Sequence, residues 1–255
     1  MTVVPPHRFT GIDNFRDFGG FRGRDGAIPL GALFRSGHLA NAGEHDRAIL
    51  QGLALNTIVD LRRPAERVQQ PSLLPAAFAG SIITEESGDR GEAPHLEFLK
   101  QGDHSDAAVE AFLLDYYRAA PLQPRHLILF SGAFAAIATG KILIHCTAGK
   151  DRTGILVALV QLALGAHRDD VMTEFLETNR IMLTVENRSR TAAGLRRLFS
   201  VEPSSMMIDA MLGVNAHHLD AALESAGHEA GSLQAYLRQL GVNTKWQADI
   251  RWLHS

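Results

Sequence analysis

The sequence has a single cysteine, Cys146, so no disulfide can form within the chain. Its N-terminal residues lack the apolar core of a secretory signal peptide, and no uninterrupted apolar run reaches the ~18 residues of a membrane span. These absences lead us to expect a cytoplasmic protein without a transmembrane segment. The formal net charge is only −3, which argues against a nucleic-acid binder.

The composition is sufficient for a sizeable core, since 45% of the 255 residues are hydrophobic and 21% are charged. Short apolar runs with strand character alternate with segments of helical spacing in the first two thirds of the chain, and helical patterns dominate afterwards. We therefore predict one α/β domain over residues 1–255. The predicted strands lie near residues 32–36, 57–61, 80–84 and 142–145.

The segment His145–Gly154, HCTAGKDRTG, follows an apolar strand and precedes an apolar helix. A strand therefore delivers Cys146 into a loop that opens a helix. The first backbone N–H groups of a helix have no intrahelical partner, and the helix dipole is positive at that end. The segment is thus a ready site for an anion, with Cys146 and Arg152 on either side of it.

Cys146 and Arg152 have the chemistry needed for phosphoryl transfer. A cysteine reacts as its thiolate, and an electropositive helix start favours that form. Arginine has a planar fork of donors that matches two phosphate oxygens at once. Five residues separate the pair, so the loop can curl and present both side chains to one phosphoryl group. This pattern predicts transfer of a phosphoryl group to sulfur, followed by hydrolysis of a cysteinyl phosphate.

Other interpretations of the segment explain less of it. A nucleotide-binding loop needs Ser or Thr after Lys150 and a Gly five residues before Gly149, but those positions hold Asp151 and Ile144. A rhodanese-like sulfur carrier would not need Arg-Thr-Gly in this register. A buried cysteine that lies beside an arginine by chance would not be expected between a strand and a helix at this spacing.

The segment resembles the phosphate loop of the cysteine-dependent protein tyrosine phosphatases, and in particular their bacterial branch, some members of which act on phosphoinositides. Four further stretches are similar to that branch, so the resemblance extends over about residues 12–180. These stretches are Asn14–Gly20, Leu33–Gly37, Ile58–Arg62 with Glu66 beyond it, and Glu174–Asn179.

This resemblance implies a three-layer fold, in which helices flank a central, largely parallel sheet. Cys146 is then the nucleophile, Arg152 binds the phosphoryl group, and Thr153 hydrogen-bonds the sulfur. Residues 181–212 would form a helical lid over the cleft, with core packing of their Met residues as the alternative. The other expected site residues are the phosphate-binding Thr147, Ala148, Gly149 and Lys150 and the supporting His145, Asp60, Arg16 and Arg35, with no metal and no cofactor.

We expect a phosphomonoesterase that hydrolyses phosphotyrosine in proteins. A dual-specificity or phosphoinositide phosphatase is the alternative, because Lys150 adds a cation that suits polyanionic headgroups. Two other classes stay open, namely a module that binds phosphorylated ligands without turnover and a sulfurtransferase or arsenate reductase. Arsenate reduction normally requires further cysteines to resolve its intermediate, and this chain has only one.

The group that protonates the leaving oxygen is the least defined part of the prediction. Asp151 lies in the loop itself and is the first candidate, and Asp60, at the end of a predicted strand, is the second. In many tyrosine phosphatases the donor is an Asp on a separate mobile loop. Here that would be Asp89, Asp103 or Asp106, within a long polar loop predicted over residues 85–106.

Two short clusters contain residue types that bind metals. Residues 101–106 include acids and a histidine, but no second ligand cluster accompanies them, so a solvated loop is the stronger interpretation. The pair His217–His218 is interpreted as part of a helix surface rather than as ligands.

Overall fold

The computed structural model describes residues 9–86, 94–100, 103–200 and 202–254. Its central sheet has five strands in the order β1-β4-β7-β5-β6, and a separate hairpin is formed by β2 and β3. The strands are β1 (Arg16–Asp17), β2 (Arg22–Gly23), β3 (Gly26–Ala27), β4 (Leu33–Ser36), β5 (Thr57–Asp60), β6 (Ser81–Ile83) and β7 (Ile142–His145).

Four of the five strands in the sheet run parallel, and only the edge strand β1 is antiparallel. β7 lies in the middle, and its last residue, His145, is level with Ser36 of β4 and Asp60 of β5. The carboxyl ends of these strands therefore meet at one edge of the sheet, where ligands bind in open α/β folds. The predicted α/β fold with a largely parallel sheet is confirmed.

Helices account for most of the rest of the described chain. They are α1 (Glu44–Gly52), α2 (Pro64–Gln69), α3 (Pro94–Lys100), α4 (Asp106–Ala119), α5 (Pro124–Ile137), α6 (Asp151–Ala163), α7 (Arg168–Met182), α8 (Val185–Phe199), α9 (Ser205–Leu212), α10 (Ala216–Glu229), α11 (Leu233–Gln239) and α12 (Thr244–Asp249), with short 3-10 helices at Ala120–Leu122 and Ile250–His254.

The central strands are buried on both faces, as expected for strands of a parallel sheet covered by helices. Successive side chains point to opposite faces, so the strands contribute to two separate apolar cores. Each buried Leu, Ile or Val stabilises the fold by roughly 1.5–3 kcal/mol. Leu33, Val59 and Ile144 pack in the larger core with α5 and α6, whereas Phe34, Ile58 and Leu143 pack in a smaller core with Leu50 of α1.

The prediction of an uninterrupted loop over residues 85–106 is wrong, because the segment contains α3. Its Phe98 stacks on Phe112 of α4, with ring centroids 4.6 Å apart, and Leu99 is buried. These two side chains give the polar segment an apolar face, which packs in a third core with Val109, Leu113, Leu195 and Met207.

That third core joins α3 and α4 to α8 and α9, which carry most of the predicted lid (residues 181–212). Met207 of α9 is completely buried in it, so this methionine packs in a core. Among the described residues, no helix has both the length and the apolar character needed to span a bilayer.

Candidate active site

Residues 146–152, called the phosphate loop below, connect the end of β7 to the first turn of α6. Cys146 is only 2% exposed and lies directly after the central strand. The turn requires glycine at Gly149, because φ is +67° there and a Cβ would come within 2.3 Å of the backbone of Ser36. The backbone of β4 and the phosphate loop are therefore packed against each other without room for a side chain.

Side chains from distant parts of the chain hold the carbonyl groups of the phosphate loop. Asn14 Nδ2 donates to the carbonyl oxygen of Gly149 at 2.8 Å, and a terminal nitrogen of Arg35 donates to the same oxygen at 2.7 Å. Asn14 itself has a φ of 55°, in the left-handed region that asparagine tolerates better than most residues. These bonds fix the curvature of the loop around Cys146.

Glu174 of α7 joins the two arginines that were predicted to support the site. Its Oε1 accepts from Arg16 Nε and its Oε2 accepts from Arg35, both at 2.7 Å. Burial, and then the charge of Arg35, lower the pKa of Arg16 to about 10, while Glu174 acts in the opposite direction. The carboxylate thus offsets the cost of burying two cations behind the phosphate loop.

Glu66 of α2 holds Arg152 in a paired contact. The two terminal nitrogens of Arg152 donate to Glu66 Oε2 at 2.7 Å and to Oε1 at 2.8 Å, and the Thr147 hydroxyl also donates to Oε1. Burial alone would raise the pKa of Glu66, but the charge of Arg152 and the hydrogen bonds from Arg152 and Thr147 hold that pKa well below its usual range. Glu66 therefore stays ionised and orients the guanidinium.

Neither glutamate was given a role from the sequence, although both lie in stretches that resemble the family. The signal for Glu66 was its position as the third residue of a short helix, where its Oε2 also accepts from the backbone N–H of Arg63 at 2.7 Å. Glu174 gave no such local signal, because its partners Arg16 and Arg35 are more than a hundred residues away in sequence.

Asp60 lies in a buried ion pair with Arg62, whose Nη2 is 2.7 Å from Oδ2. Burial would raise the pKa of Asp60, but His145 and Arg62 lower it. Asp60 does not line the cavity beside Cys146, so the geometry gives it no direct path to a leaving group. It supports the phosphate loop through His145, whose Nε2 is 3.6 Å away and whose Nδ1 lies 3.3 Å from the carbonyl oxygen of Cys146.

The expected hydrogen bond from Thr153 to the Cys146 sulfur is not formed. Thr153 is fully buried, and among the described residues its Oγ1 has no hydrogen-bond partner. Thr153 lies in the first turn of α6, whose residues 152–161 are all buried.

Lys150 does not extend freely from the phosphate loop towards a ligand. Its Nζ donates to the carbonyl oxygens of Ala210 at 2.7 Å and of Gly213 at 3.0 Å, at the C-terminal end of α9. A cation at a helix C-terminus is favoured by the unpaired carbonyls and by the dipole. Lys150 therefore attaches the phosphate loop to the predicted lid.

Asp151 is the acid that borders Cys146. It opens α6 and lines the same cavity as Cys146 and Arg152. The Tyr117 hydroxyl donates to Asp151 Oδ1 at 2.7 Å. Burial, followed by the charge of Asp151, raises the pKa of Tyr117 well above its ordinary value, so the phenol stays protonated and keeps donating.

The aspartates of the polar segment lie elsewhere. Asp103 accepts from the backbone N–H of Ser105, and Asp106 accepts from the Ser204 hydroxyl at 2.6 Å. Neither lines the cavity beside Cys146. Asp89 lies outside the described residues.

That cavity has a volume of about 110 Å³ and combines a charged floor with apolar walls. The floor is the phosphate loop, and the walls come from α3, α4 and α9. Such a shape suits a phosphate group carried on an apolar or aromatic body. The lining residues outside the loop are His95, Phe112, Leu113, Tyr116, Ala210 and Met211.

The interpretation of His217–His218 as a plain helix surface is wrong for His218. Its side chain is 4% exposed, against 48% for His217. The reason is the close packing of α10 on α4, which stacks the His218 ring on Tyr117 with centroids 5.2 Å apart. Both histidines contact Glu110 of α4.

The chain is similar to known proteins over most of its length. A family model described as "Tyrosine phosphatase family" matches residues 7–253. A Cupriavidus necator protein is 32% identical over 90% of this chain and 82% of its own length, and its name gives it provisionally as a tyrosine-protein phosphatase. The triple specificity protein phosphatase PtpB of Mycobacterium tuberculosis is 29% identical over 91% of this chain and 93% of its own length. A tyrosine-protein phosphatase of Nostoc commune is 26% identical over 85% of this chain and 72% of its own length.

Proposed function

The chain belongs to the tyrosine phosphatase family, a family of phosphoric monoester hydrolases, and we propose that it hydrolyses phosphotyrosine in proteins through a cysteinyl phosphate on Cys146. The observation that carries this proposal is the cavity that Cys146, Asp151 and Arg152 line together at the start of α6. We further propose that the enzyme works in the cytoplasm, where its one thiol stays reduced.

In the first step, the Cys146 thiolate attacks phosphorus and the bond between phosphorus and the leaving oxygen breaks. Asp151 gives its proton to that oxygen, so the product leaves as a neutral phenol. Arg152, together with the amides of Thr147, Ala148, Gly149 and Lys150, binds the equatorial phosphoryl oxygens and stabilises their charge. Glu66 keeps the guanidinium in place for this task.

In the second step, water attacks the phosphorus of the cysteinyl phosphate. Asp151, now a carboxylate, accepts a proton from this water, and the bond between phosphorus and sulfur breaks. The products are inorganic phosphate and the regenerated thiolate. The Tyr117 hydroxyl supports both steps, because its hydrogen bond to Oδ1 fixes the orientation of Asp151.

Residues 181–212 act as a lid in this proposal, within a single phosphatase domain. The support is that Ala210 and Met211 line the cavity beside Cys146 while Lys150 holds the end of α9. Arg188 of α8 also forms an ion pair with Asp209 of α9, which ties the two lid helices together.

We expect Asp151→Asn to slow hydrolysis of aryl phosphates with poor leaving groups by about 10²–10⁴-fold, and to have little effect on those with good leaving groups. A stable leaving anion needs no proton, whereas a basic phenoxide does. The measurement is kcat across a series of aryl phosphates whose phenols differ in pKa. Asp115→Asn is the control, since Asp115 is an exposed acid on the same helix as Tyr117. An equal loss for all leaving groups would mean that Asp151 only shapes the phosphate loop. The proton donor would then have to be sought in residues 85–106.

A dual-specificity or phosphoinositide phosphatase is the second candidate, and one observation favours it. Arg63, Arg125 and Arg152 line a small cavity next to the phosphate loop. Burial, followed by the charges of Arg152 and Arg63, lowers the pKa of Arg125 to about 10, so it remains a cation at neutral pH. Its two terminal nitrogens donate to the carbonyl oxygens of Leu61 at 3.2 Å and of Arg62 at 3.1 Å. The three arginines therefore place positive charge beside the phosphate loop, which favours a substrate that carries a second anionic group.

Phosphate release from phosphotyrosine peptides, phosphoserine peptides and phosphoinositides distinguishes the two candidates. If a second anion binds beside the phosphate loop, Arg125→Met lowers kcat/KM for a bisphosphorylated substrate by about 10–100-fold relative to a monophosphorylated one. The ratio of the two rates within one variant corrects for any loss of folded protein. An unchanged ratio, with phosphotyrosine peptides as the best substrates, would leave the protein phosphatase as the sole candidate.

A further inference from the structure

Glu110 lies between two histidines at the junction of α4 and α10. Its Oε1 is 2.5 Å from His217 Nε2 and 3.0 Å from His218 Nε2. One potential ligand atom from each of the three residues lies within 4.8 Å of the others. None of the three residues belongs to the phosphate loop, and the phosphatase chemistry above assigns them no role, although Glu110 and His218 border a cavity that Asp151 also lines.

We propose that Glu110, His217 and His218 form a binding site for a divalent transition metal of the zinc class. Two imidazoles and one carboxylate are a ligand set that zinc uses, with bonds of about 2.0–2.2 Å and a fourth position left for water. An ion in the middle of the cluster reaches all three atoms after small side-chain adjustments. The Glu110 carboxylate also offsets the positive end of α10, on whose first turn both histidines lie.

The two histidines contribute in different ways. His218 is buried, and its ring is stacked on Tyr117 with an angle of 26° between the planes, so one ligand is already held in position. His217 and Glu110 are partly exposed, which leaves an entry path for the ion. Because His218 is held in place before the ion arrives, that ligand loses little conformational entropy when it binds a metal.

The position of the site gives the metal a structural effect. α10 begins at Ala216, three residues after Gly213, whose carbonyl oxygen accepts a hydrogen bond from Lys150. A cavity of about 250 Å³ is lined by Glu110 and His218 together with Asp151 and residues at the end of α9. A bound ion would therefore fasten α10 to α4 next to the segment that connects the lid to the rest of the fold.

The test is a zinc titration in competition with a chromogenic chelator, carried out on metal-free protein. All variants carry Cys146→Ser, because the nucleophilic thiolate is itself a zinc ligand. The parent is expected to bind one zinc ion per chain, and Tm is expected to rise by about 5 °C at a free zinc concentration ~100-fold above Kd.

His217→Ala and Glu110→Gln are each expected to weaken zinc binding by at least about 100-fold, because losing even an outer partner of a metal ligand costs roughly 10–100-fold. Both positions are partly exposed, so neither change should unfold the protein, and Tm without zinc checks this. His228→Ala is the matched control, an exposed histidine at the other end of α10, and it should bind zinc like the parent. Equal affinity in all three variants, or a parent whose Tm does not respond to zinc, would overturn the proposal.

Discussion

Replacing Cys146 with serine is expected to lower kcat by about 10⁴–10⁶-fold while the variant still binds inorganic phosphate. An alcohol is a far weaker nucleophile than a thiolate at neutral pH. The proposed anion site, by contrast, consists of Arg152 and backbone amides, and neither changes in the variant. The measurement combines steady-state hydrolysis of a phosphotyrosine peptide with calorimetric titration of phosphate.

The paired result separates chemistry from folding. Loss of hydrolysis together with loss of phosphate binding would indicate a damaged phosphate loop. A measurement of Tm would then show whether the whole fold is destabilised. Retained hydrolysis with intact binding would mean that another group attacks phosphorus. Cys146 is buried and the hydroxyl is smaller than the thiol, so we expect Tm to change little.

Arg152→Lys is expected to lower kcat/KM by about 10²–10³-fold, although the charge is conserved. A lysine is a point charge and cannot make the paired contacts that the guanidinium makes. The substitution also breaks the fork between Arg152 and Glu66, where two bonds of 2.7 and 2.8 Å fix the orientation of the side chain. The loss should therefore appear in kcat as well as in KM.

Arg180→Lys is a suitable control for this variant. Arg180 is an exposed arginine on α7 that pairs only with Glu177 among its described ionic contacts, and its replacement should leave kcat/KM unchanged. A near-normal rate for Arg152→Lys would show that the arginine shapes the loop without binding the transferred phosphoryl group.

Local patterns in the sequence were enough to predict the scaffold of the site. The apolar run before Cys146 and the helix after Asp151 define β7, the phosphate loop and α6 from neighbouring residues alone. The central strands β4 and β5 were recognisable for the same reason, since both are short apolar runs that bury both faces.

The rest of the site depends on contacts between residues far apart in sequence, which no local pattern encodes. Glu174 reaches Arg16 across 158 residues, and Lys150 reaches Ala210 across 60. The burial of His218 similarly depends on how α10 packs against α4. The hydrogen bond predicted from Thr153 also depended on such tertiary geometry, and the structure leaves that buried hydroxyl without a partner among the described residues.

The most direct test of the chemistry is to trap the covalent intermediate. The enzyme is mixed with a phosphotyrosine peptide, quenched in acid within the first turnover, digested, and analysed by mass spectrometry. A peptide that contains Cys146 and carries the added mass of one phosphoryl group is the expected result, with no such adduct in Cys146→Ser. Turnover without this adduct, or the same adduct on a different residue, would contradict a cysteinyl-phosphate mechanism.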